Sequence, residues 1–214
     1  MDIIDERKQL VEHILSGDRD NAMLLLEKRA ERFHWRETIV ELLEPVLDDI
    51  GKRWAEEKVS LAAGYLAGKI AEDVLIKAVK VNEAIPQTKG PIVIGNVEDD
   101  YHSLGRKLVV LFLRTAGWHV IDLGNDVLAG EFVAAAIENR AKIIGVSAMM
   151  LTTAENISKI RTEMERFGVA DKIKLAVGGA IFKVRPELVE EVGGDGTVAN
   201  AVDVPKLMER LLKE

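Results

Sequence analysis

The stretch GNVEDDYHSLGRKL, residues 95–108, contains a histidine flanked by residues that could do chemistry with it. His102 follows the carboxylate of Asp100 by two positions and precedes Gly105 by three. The chain has no cysteine, so any metal chemistry must come through histidine, carboxylate or a carried cofactor. A single histidine in a loop is also commonly a solvated or capping residue. Residues elsewhere in the chain must therefore decide between these two roles.

Composition excludes several classes of protein. The 214 residues can form one large domain or two small ones, and 48% of them are hydrophobic. No apolar run approaches the ~18 residues of a membrane span, and the acidic start MDIIDERKQL lacks the pattern of a signal peptide. The formal net charge is −7 and there is no basic tract, which argues against nucleic acid as a partner. We therefore expect a cytoplasmic protein that binds neither nucleic acid nor membrane.

The first part of the chain, up to about residue 84, has helical periodicity. Breaks at 16–18, 33–36 and 57–60 predict four helices and hence a four-helix bundle. The fourth predicted helix begins at a Ser60 cap, ends near residue 82 and carries Gly64 and Gly68 on one face. Glycine inside a helix costs about 1 kcal/mol, so another group must approach this face closely. That group is either another helix or a flat ligand.

Residues 85–90 belong to a polar linker with prolines and a glycine, after which strands and helices alternate. Strands are predicted at 91–97, 119–124, 143–149, 174–179 and 196–199, and helices near 104–116, 129–140, 154–167, 185–192 and 203–213. Apolar strands separated by helices indicate a parallel sheet. The predicted fold is therefore α/β, with the helical bundle followed by a flavodoxin-like (Rossmann-like) five-stranded parallel sheet domain.

In such sheets, ligands bind at the carboxyl ends of the strands, where the strand order reverses. Small and polar residues follow four of the predicted strands: Asp100, His102 and Gly105; Gly124, Asn125 and Asp126; Ser147, Met149, Thr152 and Thr153; Gly178 and Gly179. Each alone is weak evidence, because such residues are mostly turns or helix caps. Together they predict one crevice that is lined from four strand ends.

The segment Asp100-Tyr-His102-Ser-Leu-Gly105 resembles the Asp-x-His-x-x-Gly signature of cobalamin-binding domains, as in methionine synthase, cobalamin-dependent mutases and the corrinoid proteins of methyl transfer. Ser147 and the pair Gly178-Gly179 follow at spacings compatible with this family. The helical segment 50–75 resembles the cap of the methyl-transfer branch. The resemblance covers nearly the whole chain. It implies a helical cap domain at 1–84, a linker at 85–90 and a cobalamin-binding domain at 91–214.

This resemblance implies cobalamin or a related corrinoid as cofactor, with His102 as the lower axial ligand of cobalt. Asp100 would bond the second imidazole nitrogen, which fixes the tautomer and raises the basicity of the ligand. Thr153 would complete a proton relay with Asp100, and Ser147 would bond the displaced base of the cofactor. The implied cofactor-binding residues are Asp100, His102, Gly105, Ser147, Met149, Thr153, Gly178 and Gly179, whose glycines would leave a channel for the nucleotide tail.

A helical cap joined to a cobalamin domain is similar to the corrinoid subunit of a multi-component methyltransferase. Such a subunit carries a methyl group on cobalt, cycling between Co(I) and methyl-Co(III), and is not catalytic on substrate by itself. Its implied partners are a substrate-side methyltransferase, an acceptor-side methyltransferase and a reductive activase. Trp54, Tyr65 and Leu66 would either face the corrin or belong to the core. The alternatives are a cobalamin-dependent sensor and a domain that keeps the signature for structure alone.

Several positions depart from the family pattern. Asp99 stands where glycine is usual, and Ser103-Leu-Gly-Arg-Lys107 replaces the usual Asp-Ile-Gly-Lys-Asn. Met149 stands where leucine is common. The run Glu98-Asp99-Asp100 places three carboxylates beside His102, so we expect an altered redox balance of the cobalt.

Overall fold

The computed structural model describes residues 2–56, 58–82 and 87–213, and the chain divides into two compact units, 1–83 and 84–214. No helix within the described ranges is both long and apolar enough to cross a membrane. The first unit is helical and the second is built on a parallel sheet.

The helical unit contains α1 (Ile3–Ser16), α2 (Arg19–Thr38), α3 (Glu44–Ala55) and α4 (Leu61–Asn82). A sharp turn separates α1 from α2, because Gly17 adopts a left-handed φ of 79° that glycine tolerates without a steric penalty. Asp18 then caps α2 by accepting a hydrogen bond from the N–H of Asn21 at 3.1 Å. Leu10, Ile14 and Leu26 are among the fully buried side chains that form the core of this unit.

The predicted break at 33–36 is confirmed, because the backbone leaves the helical conformation at His34 (φ 64°, ψ 164°) and α2 therefore consists of two helical pieces that meet at this kink. A π-helical segment, Ile39–Leu43, joins α2 to α3. Pro45 lies in the first turn of α3 and has no N–H to give to the carbonyl of Glu41. The guanidinium of Arg7 supplies that donor, with Nε at 2.9 Å and Nη2 at 2.7 Å. A contact from α1 thus satisfies the irregular helical segment, which sequence periodicity could not show.

Gly64 and Gly68 on α4 are not covered by a neighbouring helix within the part of the chain that the structure describes. A Cβ built on either glycine would meet no heavy atom within 4 Å, so the first of the two alternatives for this face, packing against another helix, is wrong. The second alternative, a flat ligand, stays a prediction. Tyr65, between the two glycines, is exposed, and Leu66 is half-buried. The side chain of Trp54 lies outside the described residues.

The second unit has a four-stranded parallel sheet in the order β2-β1-β3-β4. Its strands are β1 (Lys89–Asn96), β2 (Trp118–Asp122), β3 (Ile143–Ser147) and β4 (Lys174–Gly178). Ile92 and Ile94 of β1 face one hydrophobic layer, whereas Val93 between them faces the other. Both faces are therefore buried, as the apolar runs predicted.

The helices of this unit follow the strands in alternation. They are α5 (Ser103–Thr115), α6 (Ala129–Glu138), α7 (Leu151–Ala154), α8 (Ile157–Arg166), α9 (Ala180–Val184), α10 (Leu188–Glu191) and α11 (Val204–Leu211), which a 3-10 turn, Ala201–Asp203, precedes. The register pairs Asn96 with Ser147 and Ser147 with Gly178. The carboxyl ends of β1, β3 and β4 thus align at one edge, and the order reverses beside β1.

The predicted fifth strand at 196–199 is wrong, because this segment makes only one parallel bridge, between Ala176 and Gly196. The side chain of Asp195, and not the backbone of a fifth strand, pairs with the neighbouring N–H of β4: its carboxylate accepts the N–H of Leu175 at 2.5 Å. The sheet therefore ends at β4 in the described residues. At the other boundary, Lys89 and Gly90 were predicted as linker but begin β1; residues 83–86 of the predicted boundary lie outside the described ranges.

Candidate functional site

Asp100 connects the loops that follow β1 and β3. Its side chain is 0% exposed. Oδ1 accepts hydrogen bonds from the N–H of His102 at 2.8 Å and from the amide nitrogen of Asn96 at 3.0 Å. Oδ2 accepts from the N–H of Met149 at 2.7 Å and from the hydroxyl of Thr153 at 3.0 Å. Oδ1 is thus held by donors at and after the end of β1, and Oδ2 is held by donors that follow β3.

These donors decide the ionisation of Asp100. Burial raises the pKa of a carboxyl group because the charged form loses its water. For Asp100, burial is the largest single influence, but the bonds from Met149, His102, Asn96 and Thr153 together outweigh it, and the pKa lies below the ordinary 3.8. The loop after β1 therefore holds a buried, ionised carboxylate at neutral pH.

His102 places its imidazole between this carboxylate and solvent. Nδ1 lies 3.2 Å from Oδ1 of Asp100, and the side chain is 47% exposed. Because an ionised carboxylate can only accept, we assign the proton of the neutral ring to Nδ1, which leaves a lone pair on Nε2. No described residue forms a hydrogen bond with Nε2. An imidazole anchored through Nδ1 with Nε2 free is the arrangement of a metal-binding histidine.

The hydroxyl of Thr153 has two acceptors for its one proton. Oγ1 lies 3.0 Å from Oδ2 of Asp100 and 3.0 Å from the carbonyl oxygen of Met150. While Asp100 is ionised, its carboxylate is the stronger acceptor. When Asp100 is protonated, the hydroxyl can turn to Met150 without losing a partner. The Thr153 hydroxyl therefore has an acceptor whether Asp100 is ionised or protonated.

Ser147 and two of the predicted glycines leave room at the same edge. The Ser147 hydroxyl has no hydrogen-bond partner in the part of the chain that the structure describes. A Cβ at Gly105 or at Gly178 would meet no atom within 4 Å, so the packing of the chain does not require glycine at either position. A free hydroxyl and uncovered backbone are what a ligand needs in order to lie along the strand ends.

Gly179 has a different reason to be glycine. Its φ is +119°, and a Cβ would lie 1.9 Å from the carbonyl oxygen of Ala148. The backbone of the chain therefore forbids any other residue there, whether or not Gly179 also contacts a ligand. Met149, a further predicted site residue, contributes its N–H to Asp100 while its side chain is exposed.

A buried polar chain behind Asp100 was missed by the sequence analysis. The amide nitrogen of Asn96 donates to Asp100 and also to the carbonyl of His102, at 3.2 Å. Its Oδ1 accepts from Nε of Arg106 at 2.9 Å. The same guanidinium donates to Asp122 and, at 3.2 Å, to Asn125. The available signal was a polar residue, Asn96, at the end of an apolar strand, where burial demands a partner.

Asp99 adopts a backbone conformation that explains the glycine expected there. Its φ is 67°, in the left-handed region that glycine enters freely and aspartate enters at a modest cost. The N–H of Asp99 donates to Oδ1 of Asp126 at 2.8 Å, and the hydroxyl of Tyr101 donates to Oδ2 at 2.5 Å. The bond from Tyr101 lowers the pKa of Asp126 and raises that of the Tyr101 phenol. Asp126 thus ties down the loop on both sides of Asp100.

The three consecutive carboxylates do not act as one cluster of negative charge. Glu98 forms an ion pair with Nζ of Lys159 at 2.6 Å. Asp99 is exposed to solvent, and Asp100 is held by the four donors described above. Only the last of the three contacts His102. The electrostatic effect of the run on His102 is therefore smaller than the bare sequence suggests.

Two family models match the chain, and both are described as a B12 binding domain. One matches residues 90–204 and the other residues 6–79. The first spans all the residues of the site, from Asn96 to Gly179, and the second lies within the helical unit. The two matches thus correspond to the two compact units of the structure.

Relatives and solved structures agree with these models. Dimethylamine corrinoid protein 1 of Methanosarcina mazei is 31% identical over 96% of this chain and 95% of its own length. The monomethylamine corrinoid protein of Methanosarcina barkeri has the same fold, with a TM-score of 0.84 at 23% identity over 97% of this chain and 98% of that one. The methanol:cobalamin methyltransferase complex MtaBC of M. barkeri aligns with a TM-score of 0.54 at 24% identity, over 95% of this chain and 78% of that one.

The residues present fit a corrinoid. Nε2 of His102 is free to bind a metal, the Ser147 hydroxyl is free to bind a polar group, and the backbone at Gly105 and Gly178 is uncovered. A cofactor that combines a metal with a long polar tail needs these three features. Since family models match both units and a corrinoid protein is 31% identical over 96% of this chain, the chain belongs to the family of B12-binding corrinoid proteins.

Proposed function

We propose that this chain is the methyl-carrying subunit of a corrinoid-dependent methyltransferase system, with His102 as the lower ligand of cobalt. The observation that carries the proposal is the imidazole of His102, anchored through Nδ1 on a buried carboxylate while Nε2 is free. When cobalamin is bound, its cobalt supplies the atom that accepts a methyl group from one enzyme and gives it to another. The chain's own residues hold that atom and adjust its lower ligand.

Each residue of the site has a separate task in this proposal. His102 offers Nε2 to the metal, and Asp100 keeps the ring in the required tautomer and orientation. A proton that arrives at Oδ2 of Asp100 is accommodated when Thr153 turns its hydroxyl toward the carbonyl of Met150, which also lies 3.0 Å away. Ser147 bonds the displaced base, and the uncovered backbone at Gly105 and Gly178 accepts the nucleotide tail.

The names of the relatives support a class of methyl donor and of partner. Two of them are corrinoid proteins of methylamines, and the third is a complex with a methanol:cobalamin methyltransferase. We assign a methylamine or methanol as the methyl source and a substrate-side methyltransferase as the first partner. An acceptor-side methyltransferase and a reductive activase complete the proposed system.

A methylation assay tests this function. The protein is reconstituted with hydroxocobalamin, reduced with Ti(III) citrate, and mixed with a methyltransferase encoded by a neighbouring gene. We expect one substrate among mono-, di- and trimethylamine and methanol to change the absorbance from that of the reduced to that of the methylated cofactor. The mixture without the methyltransferase is the control. A reduced cofactor that stays unmethylated with all four substrates and the enzyme contradicts the carrier role.

Gly105→Ala separates stability from cofactor binding. Gly105 lies within α5, and a methyl group there meets no atom, so alanine should raise the unfolding free energy of the apo-protein by about 0.5–1 kcal/mol. The same methyl group would occupy space that we assign to the nucleotide tail, so cobalamin should bind more weakly. Urea denaturation and titration with hydroxocobalamin measure the two effects. A stabilised variant with unchanged affinity would remove Gly105 from the proposed channel.

A further inference from the structure

Arg106 connects three segments at the carboxyl edge of the sheet. It lies on α5 and is buried, with 5% of its surface exposed. Its guanidinium donates to Asn96 at the end of β1, to Asp122 at the end of β2, and to Asn125 in the following loop. Asp122 balances its charge as an ion-pair partner. The side chain thus fixes the position of Asn96 relative to both strand ends.

Asn96 in turn holds the two groups that present the imidazole. The side-chain amide nitrogen of Asn96 lies 3.0 Å from Oδ1 of Asp100 and 3.2 Å from the carbonyl oxygen of His102. Asn96 is 0% exposed, so its own Oδ1 depends on Arg106 for a donor. Without that donor the amide must rotate or admit water to satisfy its oxygen. Either change loosens its grip on Asp100 and on the backbone of His102.

From these contacts we infer that Arg106 is a positioning residue for the cobalt ligand and that it acts through Asn96. The inference rests on the proposed function, in which His102 binds cobalt. Arginine suits this role because its planar fork presents donors in several fixed directions, whereas lysine presents one ammonium group. Lysine is usual at position 106 in the family pattern. Arginine in this chain therefore adds a rigid contact to Asn96, which lies behind His102.

The tautomer of His102 in the apo-protein provides the first test, because it requires no cofactor. Long-range ¹H–¹⁵N correlation spectra at about pH 8.5, where imidazole is neutral, show which ring nitrogen carries the proton. The wild type should show the Nδ1–H form. Arg106→Lys should shift the population toward the Nε2–H form, and Arg106→Gln should do the same if the lysine variant folds poorly. Amide dispersion in the same samples reports whether each variant is folded.

A double-mutant comparison tests the route through Asn96. Asn96→Ala should produce a tautomer shift of its own, and Arg106→Lys added to it should produce no further shift. The matched control is Arg161→Lys in α8. Arg161 also spans two acceptors, the carbonyl of Gly193 at 2.8 Å and Asp195 at 2.8 Å, but it does not contact the His102 network. That variant should keep the wild-type tautomer.

Titration with hydroxocobalamin provides the second test. Removal of an outer partner of a metal-binding histidine typically weakens binding by roughly 10–100-fold, and we expect Arg106→Lys to lie near the lower end. Wild-type tautomer and wild-type affinity in both Arg106 variants would overturn the inference, as would an equal shift in Arg161→Lys. If His102→Ala left the bound-cofactor spectrum unchanged, the proposed function would fail instead. The apo-protein tautomer would still decide whether Arg106 positions His102.

Discussion

His102→Ala is expected to abolish the spectrum of histidine-ligated cobalamin in the reconstituted protein. The variant removes the only group that we assign to the lower face of cobalt, so its affinity for hydroxocobalamin should fall at least as far as the roughly 10–100-fold that loss of an outer partner costs. Absorbance of the bound cofactor, and the nitrogen hyperfine splitting in the electron paramagnetic resonance of its Co(II) form, measure the ligation directly. Added imidazole should restore part of the signal, because the His102 side chain is half-exposed and its site accessible.

His119→Ala is the matched control for this prediction. His119 belongs to the same unit, on β2, and is exposed to solvent. Its loss should leave both the spectrum and the affinity at wild-type values. A His102→Ala protein with the wild-type spectrum would refute the assignment of the ligand.

Asp100→Asn should cost the apo-protein about 2–5 kcal/mol of unfolding free energy at neutral pH. The change turns one of two accepting oxygens into a donor. That donor must then face either Met149 and Thr153 or the N–H of His102 and Asn96, all of which donate to Asp100. Urea denaturation followed by circular dichroism measures the loss. Asp99→Asn, which changes the exposed neighbouring carboxylate, should shift the free energy by less than about 0.5 kcal/mol.

The cost of Asp100→Asn should also depend on pH. The folded-state pKa of Asp100 lies below its ordinary 3.8, so its ionised form stabilises the fold. This contribution is fully present above the unfolded pKa and is lost as the pH falls through the folded pKa. The difference between wild type and variant should therefore be constant above about pH 5 and shrink below about pH 4. If the difference in unfolding free energy between wild type and Asp100→Asn were unchanged down to about pH 3, the loss of hydrogen-bond geometry, and not the loss of the charge, would cause the destabilisation.

The sheet unit was largely predictable because its strands are short apolar runs between turn residues. The segment 91–96 alternates between two buried layers, and such a pattern has few other solutions. The failure at 196–199 has a tertiary cause, since the carboxylate of Asp195 takes the N–H of Leu175 beside the expected edge strand. The break at 33–36, where His34 leaves the helical conformation, was predictable because the helical periodicity is interrupted there. The error at 196–199 lies where a distant contact decides the local structure.

The contacts of the candidate site also fall into two groups, those that local sequence spacing predicts and those that depend on the tertiary structure. Asp100 and His102 are two residues apart, so their contact is set by local spacing and a motif can record it. The hydrogen bond from Thr153 to Asp100 joins residues of different strand ends and was expected only through the family resemblance. The contacts of Arg106 depend on how α5 is rotated against the ends of β1 and β2, which no local pattern encodes.

The way in which Asp100 divides its bonds has a mechanical consequence. A carboxylate is a rigid plane, and here one oxygen is fastened to the loop after β1 while the other is fastened to the loop after β3. Neither loop can move by itself without breaking two hydrogen bonds, so a displacement of Met149 is transmitted through the plane to the backbone of His102. The carboxylate of Asp100 thus couples the movements of the two loops that lie on opposite sides of the topological switch point, one after β1 and one after β3.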